Sequence, residues 1–164
     1  MFSKKGNSKS SLNTTPEYFM GAAINEAKKA LKYDEIPVGA VIVKNGIIIS
    51  KGYNERERKQ DSTLHAEITA IKRACRKLGS WRLNDCDIYV TLEPCTMCAG
   101  AIIQSRISRL FVGTPDPKAG AAGSVIDVFE ADLFNHNVQV EFGIRKKECA
   151  SLLKDFFKNL RASK

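Results

Sequence analysis

The stretch DIYVTLEPCTMCAGAIIQSRISRLFVG, residues 87–113, decides the fold. It begins with a β-rich run over 87–93, continues with small and apolar residues typical of a helix over 96–106, and ends in a second β-rich run over 108–113. Two strands joined through a helix form a βαβ unit, in which the strands run parallel. The stretch therefore predicts an α/β protein with a partly parallel sheet.

Helices are predicted on both sides of this unit. Apolar residues recur at helical spacing in three further segments, 17–32, 66–78 and 146–164. Gly79 follows the second segment directly and favours the end of a helix at that point. The polar stretch ERERKQDST, residues 55–63, is predicted to be a loop.

The other strands come from two segments. Two β-rich runs within 38–54 are joined by Asn45 and Gly46, a pair that accepts the positive φ of a type I′ turn, so we predict an antiparallel hairpin. A last strand is predicted over 138–143, preceded by a polar segment with a short helix around 125–133. Together these elements predict a five-stranded mixed sheet with a hairpin at one edge and helices on both faces.

Length and composition indicate one globular domain. The chain has 164 residues, enough for one domain with a core, and we assign 16–164 to it. Residues 1–15 are rich in Ser, Lys and Asn and lack the apolar region of a secretory signal, so we predict a disordered tail. No apolar run is long enough for a membrane span. Five cysteines without a signal favour a reducing, cytoplasmic location.

Positive charge gathers at the C-terminal end of the chain. The formal net charge is +8, and residues 145–164 hold seven basic residues against two acidic ones. Such a distribution favours a polyanionic partner, although many basic proteins have none.

Cys95 and Cys98 follow Pro94 at the start of a predicted helix. A Cys-x-x-Cys pair alone fits a redox pair, half of a metal site or two small apolar residues. His65 stands where another helix is predicted to begin, and Glu67 is two residues further on. Because ligand sites form where strand ends meet in an α/β sheet, these two helix starts can bring the histidine and the two cysteines together.

One histidine and two cysteines are donors that suit tetrahedral Zn²⁺. We predict one zinc ion per chain, held by His65, Cys95 and Cys98, with an open fourth position typical of a catalytic site. Zinc lowers the pKa of a bound water. A hydrolytic site also needs a group that moves protons, and we predict that Glu67 does so as general acid and base. The remaining cysteines are interpreted as core or incidental residues: Cys75, Cys86 and Cys149.

The motifs HAE and PCTMC resemble the signature of the zinc-dependent nucleobase deaminases, His-x-Glu followed by Pro-Cys-x-x-Cys. Within that superfamily, which includes the cytidine and deoxycytidylate deaminases, the chain is most similar to bacterial-type tRNA-specific adenosine deaminases. The similarity runs from Glu17 to Lys164 through the stretches IPVGAVIV, GSWRL, YVTLEPCTMCAGAI, SRI, DPKAGAAGS, NHNVQVEFGI and FFKNLR. It implies a three-layer α/β/α, cytidine-deaminase-like fold.

The resemblance also implies a reaction and a set of contacts. Adenosine at the wobble position of a tRNA anticodon would be deaminated to inosine, with water attacking C6 of a flipped-out base and Glu67 moving the protons. The implied partners are the tRNA anticodon stem-loop and a second copy of the chain in a homodimer. The implied substrate-binding residues are Asn54, Val38, Ala66, Asp116 and Lys118, and the implied RNA-binding residues are Phe156, Phe157, Lys158 and Arg161. At least one of the adjacent phenylalanines is alternatively a core residue.

Two rival interpretations stay open at this point. A deaminase of free guanine, cytosine or a nucleotide would use the same four residues, but it has no need of the basic C-terminal helix. A nucleic-acid-binding protein with a structural zinc would have no need of Glu67.

Overall fold

The computed structural model describes residues 15–164. The predicted disordered tail lies outside the described residues except for Thr15, which belongs to the fold. Its side-chain oxygen accepts a hydrogen bond from Tyr18 N at 3.2 Å and caps the first helix, α1, Pro16–Ala30. Proline at the first helical position suits this start, because the N–H that proline lacks would have no partner within the helix.

Five strands form one mixed sheet, which confirms the predicted architecture. The strands are β1 (Gly39–Lys44), β2 (Ile47–Tyr53), β3 (Cys86–Leu92), β4 (Arg109–Thr114) and β5 (Gln139–Phe142), in the spatial order β2-β1-β3-β4-β5. The pairs β3–β4 and β4–β5 are parallel, and β1 pairs antiparallel with both β2 and β3. Asn45 and Gly46 turn the hairpin with φ values of 51° and 74°, as the sequence predicts.

The helices lie between and after these strands. After α1 and a 3₁₀ turn over Leu31–Tyr33 come α2 (Arg56–Lys59), α3 (Ala66–Leu78), α4 (Thr96–Gln104) and α5 (Lys146–Ala162). None of the helices described in residues 15–164 combines the length and the apolar character needed to cross a membrane.

Alternate residues of the strands face two different helical layers. Val41 and Tyr89 point to the layer of α1 and α5, where they pack with Phe19. Ile42 and Val90 point to the opposite layer, which contains α3 and α4. Both faces of the central strands are therefore buried, as expected for a sheet with parallel crossovers.

Two local predictions were wrong. The segment around 125–133 contains turns and a single β-bridge between Ala122 and Asp127 rather than a helix. The side chain of Asp127 accepts a hydrogen bond from Phe129 N at 2.9 Å, a local turn that competes with helical hydrogen bonding. The predicted loop 55–63 contains the short helix α2, which the left-handed residue Gln60 ends.

Gly52 allows α3 to pack directly against β2. A Cβ atom at this position would lie 2.9 Å from Ala70 N and closer still to Ala66 O, both in the backbone of α3. The side chains of His65 and Glu67 are carried by the start of that helix. The position of the helix start relative to the sheet therefore depends on a residue without a side chain.

Replacing Gly52 with Ala should destabilise the protein, because the backbone of α3 cannot move away as a flexible side chain can. Overpacking of this kind costs about 1–3 kcal/mol, so we expect a lower thermal midpoint by calorimetry. Gly100→Ala is the matched control, since a Cβ there meets open space within α4. It should be neutral or stabilising, because alanine favours helix formation by about 1 kcal/mol over glycine. Equal midpoints for Gly52→Ala and the wild type would refute the packing argument.

Candidate active site

Two helix starts bring three metal-binding side chains together. His65 is the N-cap residue of α3, Cys95 is the N-cap residue of α4, and Cys98 lies in the first turn of α4. His65 Nδ1 lies 3.6 Å from Cys95 Sγ and 3.5 Å from Cys98 Sγ, and the three donor atoms are all within 4.8 Å of one another. Since both helices begin at the same side of the sheet, residues distant in sequence meet there, as predicted.

The spacing of these atoms fits a tetrahedral zinc site. With zinc–sulfur bonds of about 2.3 Å and zinc–nitrogen bonds of about 2.0–2.1 Å, the nitrogen–sulfur edge of a tetrahedron is roughly 3.6 Å. The two observed nitrogen–sulfur distances lie within 0.1 Å of that edge. His65, Cys95 and Cys98 could therefore hold a zinc ion without moving far.

The other three cysteines lie outside this group. Cys86 and Cys149 are buried in the core, and the thiol of Cys75 lies 3.8 Å from the carbonyl of Trp81. Among residues 15–164, the His/Cys/Asp/Glu cluster with metal-binding spacing consists of three residues only. Three donors leave one position of a tetrahedron open to a water or a substrate atom.

Glu67 is a buried carboxyl group beside the three donors. It lies in the first turn of α3, is 4% exposed, and its Oε2 accepts a hydrogen bond from Cys98 Sγ at 3.2 Å. Burial raises the pKa of this carboxyl group, because water no longer stabilises its charged form. A carboxyl group with a raised pKa is suited to exchanging protons near neutral pH.

A hydrogen bond between the two thiols shifts their pKa values in opposite directions. The hydrogen bond from Cys98 lowers the pKa of the Cys95 thiol to about 3, and the same contact raises the pKa of Cys98. The hydrogen bond to Cys95 raises the pKa of His65. The contact with Cys98 thus favours the thiolate form of Cys95, and a bound divalent cation would favour deprotonation of both thiols.

A cavity of about 190 Å³ opens onto this group. Its size is below that of pockets for drug-sized ligands and suits a single heterocyclic base. Four of the predicted substrate-binding residues line it: Val38, Asn54, Ala66 and Asp116. Five further residues line the cavity without having been predicted from the sequence: Ile36, Arg56, Leu92, Glu93 and Ala119. Glu93 directly precedes the Pro-Cys-x-x-Cys motif, but no local pattern relates it to the loop that it contacts.

Asn54 is held in the cavity wall by the neighbouring backbone. Its Nδ2 donates to the carbonyl of Ile36 at 3.2 Å, and its Oδ1 accepts from Arg56 N at 3.2 Å. The buried carboxylate of Glu35 lies 3.5 Å from Asn54 Nδ2 and accepts from Arg58 N at 2.6 Å. These contacts fix the orientation of the Asn54 amide before any substrate binds.

The remaining predicted contacts lie outside the cavity. Lys118 is exposed, and it is its backbone N–H, rather than its ammonium group, that bonds to Asp116 Oδ1 at 3.0 Å. On α5, Phe156 is partly buried, whereas Phe157 is 38% exposed and packs edge-on against Phe156. Neither phenylalanine is a core residue. Lys158 and Arg161 are exposed.

Comparison with known proteins gives the family. The family profile of MafB19-like deaminases matches residues 14–161. A tRNA-specific adenosine deaminase of Bacillus subtilis is 46% identical over 151 residues, which cover 92% of this chain and 94% of the relative.

Two solved structures are also similar to this chain. One comes from a study of A-to-I editing by tRNA:A34 deaminases at the wobble position of transfer RNA; it has a TM-score of 0.80 and 45% identity and covers 83% of this chain and 99% of its own. A guanine deaminase of Bacillus subtilis has a TM-score of 0.58 and 42% identity over 60% of this chain and 64% of its own. The chain belongs to the MafB19-like deaminase family and, within it, groups with the tRNA-specific adenosine deaminases.

Proposed function

We propose that this protein catalyses the zinc-dependent, hydrolytic deamination of adenosine to inosine at the wobble position of a tRNA anticodon. The observation that carries this proposal is the convergence of His65, Cys95 and Cys98 with the buried Glu67 at a base-sized cavity. The similarity to relatives named for this reaction extends along nearly the whole chain.

The reaction consumes one water and releases one ammonia for each adenosine. His65, Cys95 and Cys98 would hold the zinc, which when bound lowers the pKa of a water to near neutrality. Glu67 accepts a proton from the attacking water, delivers it to N1 of the base, and assists the departure of the C6 amino group as ammonia. The position of Glu67 supports this role, because its carboxyl group contacts Cys98 and lines the same cavity as His65 and Cys95.

The cavity walls support the binding of a flat base. Ile36, Val38 and Leu92 supply apolar surface, while Asn54 and Asp116 add polar groups that can distinguish one base edge from another. Arg56 lies at the same cavity, with a side chain 43% exposed, where it can reach a phosphate of the extruded nucleotide. A base inside a stacked anticodon loop must be flipped out to enter such a cavity.

The C-terminal half of α5 supports binding of the RNA loop. Phe156 and Leu160 border a groove whose other side is formed by Leu31 and Asp34. That segment leads directly to Glu35, which contacts Asn54 of the cavity. The half-helix offers exposed cations and aromatic surface, which single-stranded RNA binds through phosphates and stacked bases.

Replacing Lys158 and Arg161 together with Ala should weaken tRNA binding. Each contact between a cation and a phosphate releases counterions from the RNA, so losing such contacts should raise the apparent KM. The affinity should also fall less steeply with salt, by an amount that corresponds to up to about two phosphate contacts. Both side chains are exposed, so the thermal midpoint should stay near that of the wild type. Steady-state kinetics on an anticodon stem-loop at two or more salt concentrations measures the effect.

The matched control is Lys146→Ala with Lys147→Ala, which removes two exposed cations from the start of the same helix. This control should retain most of the affinity. If both pairs weaken binding equally, net charge rather than a contact of α5 accounts for the effect. If the variant with Lys158→Ala and Arg161→Ala bound the stem-loop as tightly as the wild type, the RNA would have to bind at a surface other than the end of α5.

A deaminase of free guanine is the second candidate, because the guanine deaminase above is similar over 60% of the chain. Ammonia release from an anticodon stem-loop, free guanine, free cytosine and free adenosine under the same conditions separates the two candidates. We expect turnover on the stem-loop and little on the free bases. Turnover on guanine alone would favour the second candidate, and ammonia from none of them would favour a binding protein with a structural zinc.

We also propose that the protein acts in the cytoplasm as a homodimer in which each chain completes the site of its neighbour. Four large apolar side chains, Val125, Ile126, Leu133 and Phe134, are 47–54% exposed in the segment that follows the cavity loop. A second chain that covered them would remove this surface from water. Sedimentation velocity should give the mass of two chains.

A further inference from the structure

Glu93 is a buried carboxylate without a role in the chemistry proposed above. It follows the last residue of β3 and precedes Pro94 and Cys95, and it is 2% exposed. Within the described residues it forms no ion pair. A buried charge needs compensation, and here backbone and hydroxyl groups of one loop provide it.

Both oxygens of Glu93 accept hydrogen bonds from residues 116–124. Oε2 accepts from Asp116 N at 2.8 Å and from the Ser124 hydroxyl, and Oε1 accepts from Ala122 N at 3.0 Å and from Ser124 N at 3.1 Å. All the backbone partners are N–H donors, so one carboxylate ties both ends of the loop to the end of β3.

The same loop forms one wall of the cavity. Asp116 and Ala119 line the cavity, and the loop closes on itself through the bond from Gly120 N to Asp116 O at 2.9 Å. Ala121 N donates to the carbonyl of Pro94 at 2.9 Å, directly before the first of the two cysteines. The wall and the metal-binding group are therefore joined through Glu93 and its neighbour Pro94.

Gly120 is required for this close contact. A Cβ atom at this position would overlap the carboxyl group of Glu93, and it would also collide with the backbone oxygen of Asp116. The loop backbone thus packs against the carboxylate with no room for a side chain. The contact between the Glu93 carboxylate and the loop can therefore be disturbed in two ways, by a substitution at Glu93 or by one at Gly120.

We propose that Glu93 is a positioning residue that fixes the 116–124 wall and thereby sets how tightly the substrate base binds. The inference rests on the proposed function for its substrate, since the base named here is the wobble adenosine. Glu93 acts through Asp116 and Ala119 rather than on the reacting atoms, because its oxygens are already occupied by loop donors. The wall contacts the base before and during the reaction, so its loss should raise KM more than it lowers kcat.

An amide cannot replace this carboxylate. In Glu93→Gln the –NH₂ group must face the donors of one oxygen: it opposes either Asp116 N–H or both Ala122 N–H and Ser124 N–H. Rotating the Ser124 hydroxyl to accept relieves only the hydroxyl contact. At least one buried N–H at the loop therefore loses its acceptor, and the loop should open more often.

The test combines kinetics with hydrogen exchange on the zinc-loaded full chain. For Glu93→Gln we expect a KM for the anticodon stem-loop raised about tenfold, a kcat within about threefold of wild type, faster amide exchange across 116–124 and unchanged zinc content. Gly120→Ala should reproduce the faster exchange and the raised KM. Asp127→Asn is the matched control, since it removes one exposed negative charge from the same connection and should change neither quantity.

The outcomes separate this inference from the proposed function. Unchanged exchange at 116–124 in Glu93→Gln would overturn the inference whatever the activity. Loss of zinc and of kcat at an unchanged KM would also overturn it, because Glu93 would then act on the metal-binding group. If the wild type fails to deaminate the stem-loop, the proposed function fails, while the exchange experiment still decides whether Glu93 holds the wall.

Discussion

Glu67→Gln is expected to retain zinc and fold but to deaminate the anticodon stem-loop about 10⁴-fold more slowly than the wild type. General acid–base groups typically contribute about 10²–10⁴ in rate. Glu67 should lie at the high end, because one carboxyl group serves the attacking water, N1 of the base and the departing ammonia. Glutamine has nearly the same shape and can still accept from Cys98, but it cannot carry a proton between these positions.

The fold should tolerate this change. Burial raises the pKa of Glu67, so its charged form is costly in the folded state, and a neutral amide removes that cost. Metal analysis, thermal melting and single-turnover kinetics on the same sample test the three parts of the prediction. Glu26→Gln is the matched control: it alters another buried glutamate, on α1 and paired with Lys29, and should leave turnover unchanged. A rate within about tenfold of wild type for Glu67→Gln would show that another group moves the protons.

Cys98→Ala is expected to remove zinc and activity together. The change leaves two donors of the three, and it opens a gap at a fully buried position in the first turn of α4. The zinc content after dialysis should fall from about one per chain to near zero, and turnover should fall with it. The thermal midpoint should also fall, because a metal that binds only the folded state stabilises that state. Cys95→Ala should behave in the same way.

Cys75→Ala serves as the control for losing a thiol. Cys75 is only partly buried and contacts Trp81 rather than His65. Its replacement should retain full zinc content and turnover. If Cys98→Ala or Cys95→Ala also retained both, the assignment of the ligands would be wrong.

The parts of the fold that sequence predicts well are those set by local pattern. The βαβ unit over 87–113 follows from two β-rich runs on either side of a helical run, and the β1–β2 hairpin follows from Asn45 and Gly46, whose positive φ values the structure shows. The helix expected around 125–133 did not form, because the Asp127 side chain caps Phe129 N and a β-bridge holds Ala122. Composition did not distinguish these turn contacts from a short helix.

In the candidate site, too, some residues could be predicted from local sequence patterns and others could not. His65, Glu67, Cys95 and Cys98 stand out in the sequence because each pair has a spacing with chemical meaning. Glu93 does not, because its partners lie 23 to 31 residues further along the chain. Its role depends on where a loop folds back, which no local pattern records.

Inosine mapping on tRNA tests the central claim most directly. Wild-type protein loaded with zinc would be incubated with tRNA transcripts carrying adenosine at the wobble position, and the converted positions would be read by sequencing. The proposed function predicts inosine at the wobble adenosine, ammonia released in equal amount, and no conversion of adenosines in the stem. No inosine at that position despite full zinc content, or turnover of a free base alone, would contradict it.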